Sequence, residues 1–277
     1  PVVSVLFVPM SMLDYIELGR MDELGRMDSP VHRLDARIKA LTTAAFIVVV
    51  MSFPRYEVAA LMPFFLYPFA LMAAGNIPAG FILRKLLVAA PFALAVGIFN
   101  PFLDRQTVVT IGSHGIAGGW LSLASIAIRF MLTVSAALTL VACTGIHRLC
   151  AGLEQMGIPR VFVIQLQMLY RYLFVITGEG LRVVRGVEMR SAGRATMCLG
   201  TYAPMVGHLL LRSIDRAQRV YQAMTSRGYE GHFRVMRPTA IRGIDIDFAV
   251  GWIAFFAAAR FWNIARWLGS LATGGGA

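Results

Sequence analysis

The sequence predicts an all-α protein, a polytopic membrane helical bundle of about five spans with a cytoplasmic domain of long amphipathic helices. Three observations predict it. Of the 277 residues, 57% are hydrophobic and only 15% are charged, with a mean hydropathy of +0.66, which is more apolar than a water-soluble core of this length. Apolar blocks recur at lengths that cross about 30 Å of hydrocarbon as helix, the form that satisfies its own backbone hydrogen bonds there. The charge is lopsided, 26 Lys+Arg against 15 Asp+Glu, and every basic residue except Lys39 and Lys85 is Arg.

From the N-terminus, residues 1–36 form a cytoplasmic segment. Val2 to Met10 is apolar but too short to span. Glu17 to Asp22 reads ELGRMD, and Glu23 to Asp28 repeats it. A single repeat builds no solenoid, so it reads as a local duplication or cloning scar with no structural role. Residues 37–144 hold four transmembrane blocks: about Arg37 to Phe53, closed by Pro54; Val58 to Ala74, closed by Gly75-Asn76; Leu86 to Leu103; and about Trp120 to Cys143. Pro63, Pro68 and Pro91 are expected to kink blocks two and three. Residues 145–245 are the cytoplasmic domain, and 246–277 are the last transmembrane helix (Phe248 to Leu271) with a short tail.

Orientation follows from Arg and Lys in alternate loops. With the N-terminus inside, the inner side carries Arg20, Arg26, Arg33, Arg37, Lys39, Arg84, Lys85 and the whole 145–245 stretch, and the outer loops carry only Arg55 and Arg105. The 145–245 stretch holds fourteen arginines against six acids, a net of +8. It needs an acidic partner or an anionic surface. Leu210, Ile214, Ala217, Tyr221 and Met224 step at helical spacing, with Arg212, Arg216 and Arg219 expected on the opposite face. Val161 to Arg190 reads as another long helix, apolar and then basic. Gln165, Gln167 and Arg171 interrupt its apolar part, and a crossing there would put the basic stretch outside; it is expected to lie at the inner face.

Two triplets stand out, Met189-Arg190-Ser191 and Ser226-Arg227-Gly228, each near the end of an amphipathic helix, with Gly193 and Gly228 as stop signals. An Arg at a helix end is a forked donor, and two such ends side by side can enter grooves on a partner and pair with carboxylates. The plainer reading is that cations favour the negative end of a helix and glycines cap it. No GxxxxGK[ST] phosphate loop occurs, so the chain is not itself an ATPase. Gly112-Ser113-His114-Gly115 reads as an outer-loop turn, and sequence neighbours rarely orient for nucleophilic attack. His32, His114, His147, His208 and His232 lack metal-ligand spacing, and His32 is expected to anchor the start of the first helix. Cys143, Cys150 and Cys198 form no CxxC pair; the first two sit on apolar stretches as small packing residues. No catalytic, cofactor-binding or metal residue is assigned.

Ser29-Pro30-Val31-His32-Arg33-Leu34-Asp35-Ala36-Arg37 resembles the opening signature SPxHRLDPRxK of the transmembrane T component of energy-coupling factor ABC transporters, with Ala36 in place of the common Pro. The run Thr144 to Pro159 (TGIHRLCAGLEQMGIP) and Tyr170-Arg171-Tyr172-Leu173-Phe174-Val175 are similar to the same family, the latter to its cobalt branch, CbiQ. Ser226-Arg227-Gly228 resembles the family's second x-Arg-x motif, and Met189-Arg190-Ser191 is the candidate for the first. There Met stands where the family more often has Ala, which leaves Arg194 as a neighbouring candidate.

The resemblance, which covers Asp28 to Phe261, implies a non-catalytic coupling subunit in a bacterial cytoplasmic (inner) membrane, multi-pass and with its N-terminus cytoplasmic. Its x-Arg-x helix ends would dock on two ABC-type ATPase subunits (CbiO-like). Its bundle would hold a CbiM-like substrate-capturing membrane subunit, with or without a small CbiN-like subunit. It implies no cofactor and no nucleic acid, and leaves cobalt, nickel or a vitamin as cargo, with cobalt favoured by the branch.

Arg129 and Arg260 lie inside apolar blocks, where each must face protein or snorkel. They are candidate intramembrane contacts, to a substrate-capturing subunit, to Asp104 or Glu57, or within the bundle. The alternative function is a membrane-embedded enzyme acting on lipid or polyprenyl phosphates. It predicts clustered carboxylates, and Asp245-Ile246-Asp247, the one close pair, turns its members apart on a helix. A third reading is a basic anchor for anionic lipid or another partner, which needs only charge.

Overall fold

The structure, a computed structural model, describes residues 24–25, 27, 29–54, 58–98, 107–111, 114–190, 199–231 and 241–261. It divides into two compact units. One comprises Leu24–Gly145 together with the chain from Thr239 onward; the other contains Ile146–Pro238.

In the first unit Asp35 starts helix α1 (Ala36–Met51): its backbone is extended and its carboxylate accepts the Arg37 N–H at 2.8 Å, meeting a donor that the first turn leaves unpaired. The expected second block is not one helix. It divides into a 3-10 segment, Ala59–Phe65, and α2, Leu66–Ala74, because Pro63 has no N–H to give and Pro68 takes the third position of α2. Asn76, at φ 52°, takes the left-handed position that closes α2. Helix α3 (Ala79–Gly97) begins seven residues earlier than expected, directly after Pro78, so Arg84 and Lys85 lie in the helix and not in the loop before it. Strands β1 (Thr107–Ile111) and β2 (His114–Ala117) pair antiparallel, so an otherwise helical fold carries one short hairpin among the described residues. Helix α4 (Gly118–Thr144) follows, and α8 (Gly243–Phe261) returns to this unit after the second one.

The centre of the first unit is aromatic. Phe46, Phe64, Tyr67 and Phe256 are buried, with Phe46 stacked on Tyr67 at 4.7 Å and Phe256 edge-on to Tyr67 at 5.3 Å. Thr43 gives its proton to the Lys39 carbonyl, so the Tyr67 hydroxyl donates to Thr43 Oγ1 at 2.8 Å. Thr42, Thr43, Thr139 and Lys39 are buried as well, while Leu87, Val88 and Phe92 on α3 are 71%, 76% and 77% exposed. A water-soluble fold would reverse that distribution, and hydrocarbon solvent explains it. Among the described residues, Gly119–Thr144 and Arg160–Arg190 are long and apolar enough to cross a membrane by length and composition.

The second unit contains α5 (Ile146–Gln155), α6 (Arg160–Arg190) and α7 (Leu199–Thr225). Helix α5 lies on the start of α6 through His147, whose ring is edge-on to Tyr170 at 5.8 Å, and through the Glu154–Arg160 ion pair at 3.1 Å. Tyr170 in turn meets Phe174 edge-on at 5.2 Å, and Cys150 and Val163 are buried.

Candidate functional site

Helices α6 and α7 run antiparallel. Near the end of α6, Arg182, Gly186 and Arg190 face Met205, His208 and Arg212 across a polar groove of about 500 Å³. Near its start, Val161, Ile164 and Met168 face Val220, Tyr221 and Met224 across an apolar groove of about 660 Å³. Between the two, Glu179 accepts from Arg216 at 2.9 Å and from Arg212 at 3.4 Å. The apolar stripe of α7 therefore lines the groove toward α6 from Ile214 to Met224, as its spacing predicts, while Leu210 does not line it; Leu210, Ile214 and Tyr221 all remain exposed. Arg212 and Arg216 are not opposite it: an Arg side chain is long enough to leave its helix face and reach the Glu179 carboxylate on the neighbouring helix.

Arg190 is the last residue of α6 and, with Met189, is exposed. Ser191, Gly193 and Arg194 lie outside the described residues. Thr225 ends α7, and Ser226, Arg227 and Gly228 follow it, all exposed. The Gly228 N–H donates to the Thr225 carbonyl and the Tyr229 N–H to the Met224 carbonyl, with Gly228 at φ 77°. That is the glycine-terminated helix end the sequence predicts, and it makes Arg227 the residue from which the chain leaves the helix. The two arginines are not side by side. Arg190 sits over the first half of α7, so Arg227 is roughly 20–30 Å further along that helix at 1.5 Å per residue. Antiparallel pairing puts the C-terminal ends of consecutive helices at opposite ends of the pair.

Arg129 and Arg260 both turn into their own unit. Arg129 Nη2 donates to the carbonyls of Phe53 at 3.0 Å and Pro54 at 2.7 Å. Arg260 Nη2 donates to the Ser52 carbonyl at 3.3 Å, and its guanidinium lies 4.5 Å from the centre of the Phe53 ring. Both thus reach carbonyls at the end of α1, among the described residues; Glu57 and Asp104 lie outside them.

In the sequence Lys39 stood only as a charge and Asp245 as a charge and one of a close carboxylate pair; both are buried. Lys39 Nζ donates to the carbonyls of Val31 at 3.2 Å and Cys143 at 3.3 Å. Asp245 accepts the Asp35 N–H at 2.9 Å on one oxygen and the Arg242 N–H at 2.8 Å on the other, while Asp247 is exposed, so the two carboxylates do turn apart. His32 is buried in the turn before α1. Its Nε2 meets the Leu24 carbonyl at 2.9 Å, which can only accept; Nε2 carries the proton and Nδ1 accepts from Ser29 Oγ at 2.7 Å. The second ELGRMD copy accordingly has a structural role. Leu24 is buried, and Gly25 touches Gly145 so closely that a Cβ at 25 would lie 2.9 Å from the Gly145 Cα. The first copy, Ser113, Cys198 and His232 lie outside the described residues.

A helical bundle that buries Lys39, Asp245 and several threonines beside an aromatic centre and exposes apolar side chains, continued in sequence by an exposed, Arg-rich antiparallel pair, defines an integral membrane protein that presents a basic surface. The family model CbiQ, described as cobalt transport protein, matches residues 27–238. The chain belongs to this EcfT/CbiQ family, the transmembrane components of energy-coupling factor transporters. It is similar to the energy-coupling factor transporter transmembrane protein EcfT of Heliobacterium modesticaldum, 26% identical over 275 residues, 92% of this chain and 100% of that protein. It is similar also to the EcfT of Bacillus selenitireducens, 25% identical over 222 residues, 74% of this chain and 81% of that one. A putative fused cobalt transport protein CbiMQ of Methanocorpusculum labreanum is 28% identical over 89 residues, 32% of this chain and 15% of that protein.

Proposed function

We propose that the chain is the energy-coupling subunit of a bacterial inner-membrane importer, with cobalt ions as cargo. Its partners are two CbiO-like ATPase subunits, and a CbiM-like membrane subunit captures the ion. ATP binding and hydrolysis move the ATPases; Arg190 and Arg227 carry that motion into α6 and α7, and the bundle tilts or releases the capturing subunit so that the ion passes inward.

The observation that carries this reading is the pair of exposed arginines at opposite ends of one antiparallel helix pair, a spacing suited to two separate partner subunits. The N-terminus and residues 145–245 are assigned to the cytoplasm on the excess of Arg in inner segments. The same assignment keeps α6 at the inner face. Its Glu179 is paired with Arg212 and Arg216 of α7, and immersing the pair would draw those charges into hydrocarbon. Cobalt is supported by the family description and by the fused relative, whose name joins CbiM to CbiQ.

Replacing Arg190 and Arg227 together with Ala is expected to remove the ATPases from the purified membrane complex and to stop uptake of radiolabelled cobalt by cells. ATPases retained at wild-type stoichiometry, with uptake unchanged, would sink the docking role. Replacement of both by Lys separates docking from a lipid anchor: a carboxylate-pairing fork fails with Lys, whereas a surface that needs only charge keeps working.

A further inference from the structure

The chain inserts its second unit between α4 and α8, so the two units are joined covalently at two points, the end of α4 at Gly145 and the chain that leads into α8 at Gly243. One short segment, residues 24–39, holds both. At the first junction Gly25 lies against Gly145, whose positive φ of 71° ends α4, and the Lys39 ammonium donates to the Cys143 carbonyl. At the second, Asp245 binds the Asp35 N–H on one oxygen and the Arg242 N–H on the other.

Three helix ends meet charges of the sign their dipoles favour. Asp35 is at the N-terminus of α1, Asp245 in the first turn of α8, and the Lys39 cation at the C-terminus of α4. All three side chains are buried, so these contacts are little screened by water. Each also stands at the end of a rigid helix. A displacement of Gly145 or of Gly243 is therefore passed to α1, α4 and α8 together.

We propose that Lys39 and Asp245 are positioning residues for energy coupling: with Gly25 and Asp35 they clamp the two points at which the inserted unit leaves and rejoins the bundle, and make its motion a motion of the bundle. The proposal rests on the coupling role proposed above. It goes beyond docking, because it concerns residues buried inside the bundle that act after the ATPases are bound.

The test uses the assembled complex with its ATPases, with an environment-sensitive fluorophore on Met51→Cys at the exposed end of α1 in a chain that also carries Cys198→Ser, Cys143 and Cys150 being buried. The reading is the change in its signal between nucleotide-free and vanadate-trapped states, alongside ATPase co-purification and ATP hydrolysis. Lys39→Met and Asp245→Asn are expected to retain the ATPases and their hydrolysis while the nucleotide-driven signal falls about tenfold. Lys39→Arg, which keeps a cation and its donors, is expected to keep the signal. A full signal in Asp245→Asn with ATPases bound overturns the proposal, as does a full signal in Lys39→Met. Should Lys39→Met not assemble, the nearly isosteric Asp245→Asn decides. Failure of the docking reading looks different: the Arg190 and Arg227 double variant then retains its ATPases, while the clamp variants are judged on the signal alone.

Discussion

Arg129 and Arg260, carried by α4 and α8, close on the same turn of chain, Ser52 to Pro54, in which α1 ends. A helix end leaves its last carbonyls without donors, and hydrocarbon offers no water to replace them. The arginines do so, and in return their charge faces protein. Arg129→Met is expected to lower stability by about 1–3 kcal/mol, because it strips two carbonyls of one donor. Arg260→Met, whose contacts are exposed, should cost about 0.5–1 kcal/mol. Because both hold one turn, the double variant should depart from the sum. Thermal unfolding of the four proteins in one detergent checks this, and equal, strictly additive effects would contradict it.

Glu179 is the single carboxylate between Arg212 and Arg216, and its side chain is 17% exposed against 66% and 39% for theirs. Both arginines are well solvated, so the pair contributes little despite its short distance. Glu179→Gln should cost no more than about 1 kcal/mol. Hydrogen exchange of α7 amides should be faster in the variant at low salt, and the two proteins should converge as the screening length shrinks to about 3 Å at 1 M salt. A difference that persists at high salt would show that Glu179 acts by packing.

Cys150 is fully buried on α5, and burial pushes its thiol above the ordinary value of 9.0. Since the thiolate is the reactive form, Cys150 should resist alkylation at neutral pH in the folded protein and label only as the second unit opens. The sign for stability follows from a folded value raised above the unfolded one. The contribution is fully present below about pH 9 and is lost as pH rises through the raised value. Maleimide labelling across pH, with and without denaturant, in a chain carrying Cys143→Ser and Cys198→Ser checks the first, and denaturant unfolding across the same pH range checks the second; rapid labelling of Cys150 in folded protein at pH 7 would refute the first.

The helices were legible in the sequence wherever hydrocarbon or a glycine dictated them. Apolar runs gave α1, α4 and the body of α8, which begins at Gly243 and so ahead of the expected Phe248, and Gly228 gave the end of α7. Local order was also legible in His32, whose burial beside Ser29 and Leu24 bears out its expected place at the start of the first helix. What the sequence did not disclose are contacts made over long separations. Lys39 reaches Cys143 across 104 positions, and Asp245 reaches Asp35 across 210. For Arg129 the sequence suggested a contact within the bundle, a substrate-capturing subunit or a carboxylate, and the contact within the bundle is found, but its particular acceptors could not be named. The unsatisfied carbonyls of a helix end belong to every residue type and become visible only when the helix is placed. The break in α2's block had a readable signal in Pro63, which was taken for a kink and instead sits in a 3-10 segment.

The glycines divide into two groups that should respond to alanine with opposite sign. Gly25 and Gly145 are backbone against backbone: a Cβ at 25 would lie 2.9 Å from the Gly145 Cα, and Gly145 itself holds φ at 71°. Gly25→Ala therefore has to move main chain and should cost about 1–3 kcal/mol. Gly145→Ala should cost about 1–2 kcal/mol for the left-handed conformation alone. Gly186 in α6 and Gly207 in α7 meet nothing within 4 Å at the position of a Cβ. There, in helix interiors, alanine should stabilise the isolated chain by roughly 0.5–1 kcal/mol by restricting the unfolded state. The comparison is internal, four single variants in one detergent, so a detergent effect common to all cancels. If Gly25→Ala proved as stable as the parent, residues 24–25 would not be seated against the end of α4. The clamp at the first junction would then rest on Lys39 alone, and the nucleotide-driven signal should survive Gly25→Ala while it is lost in Lys39→Met.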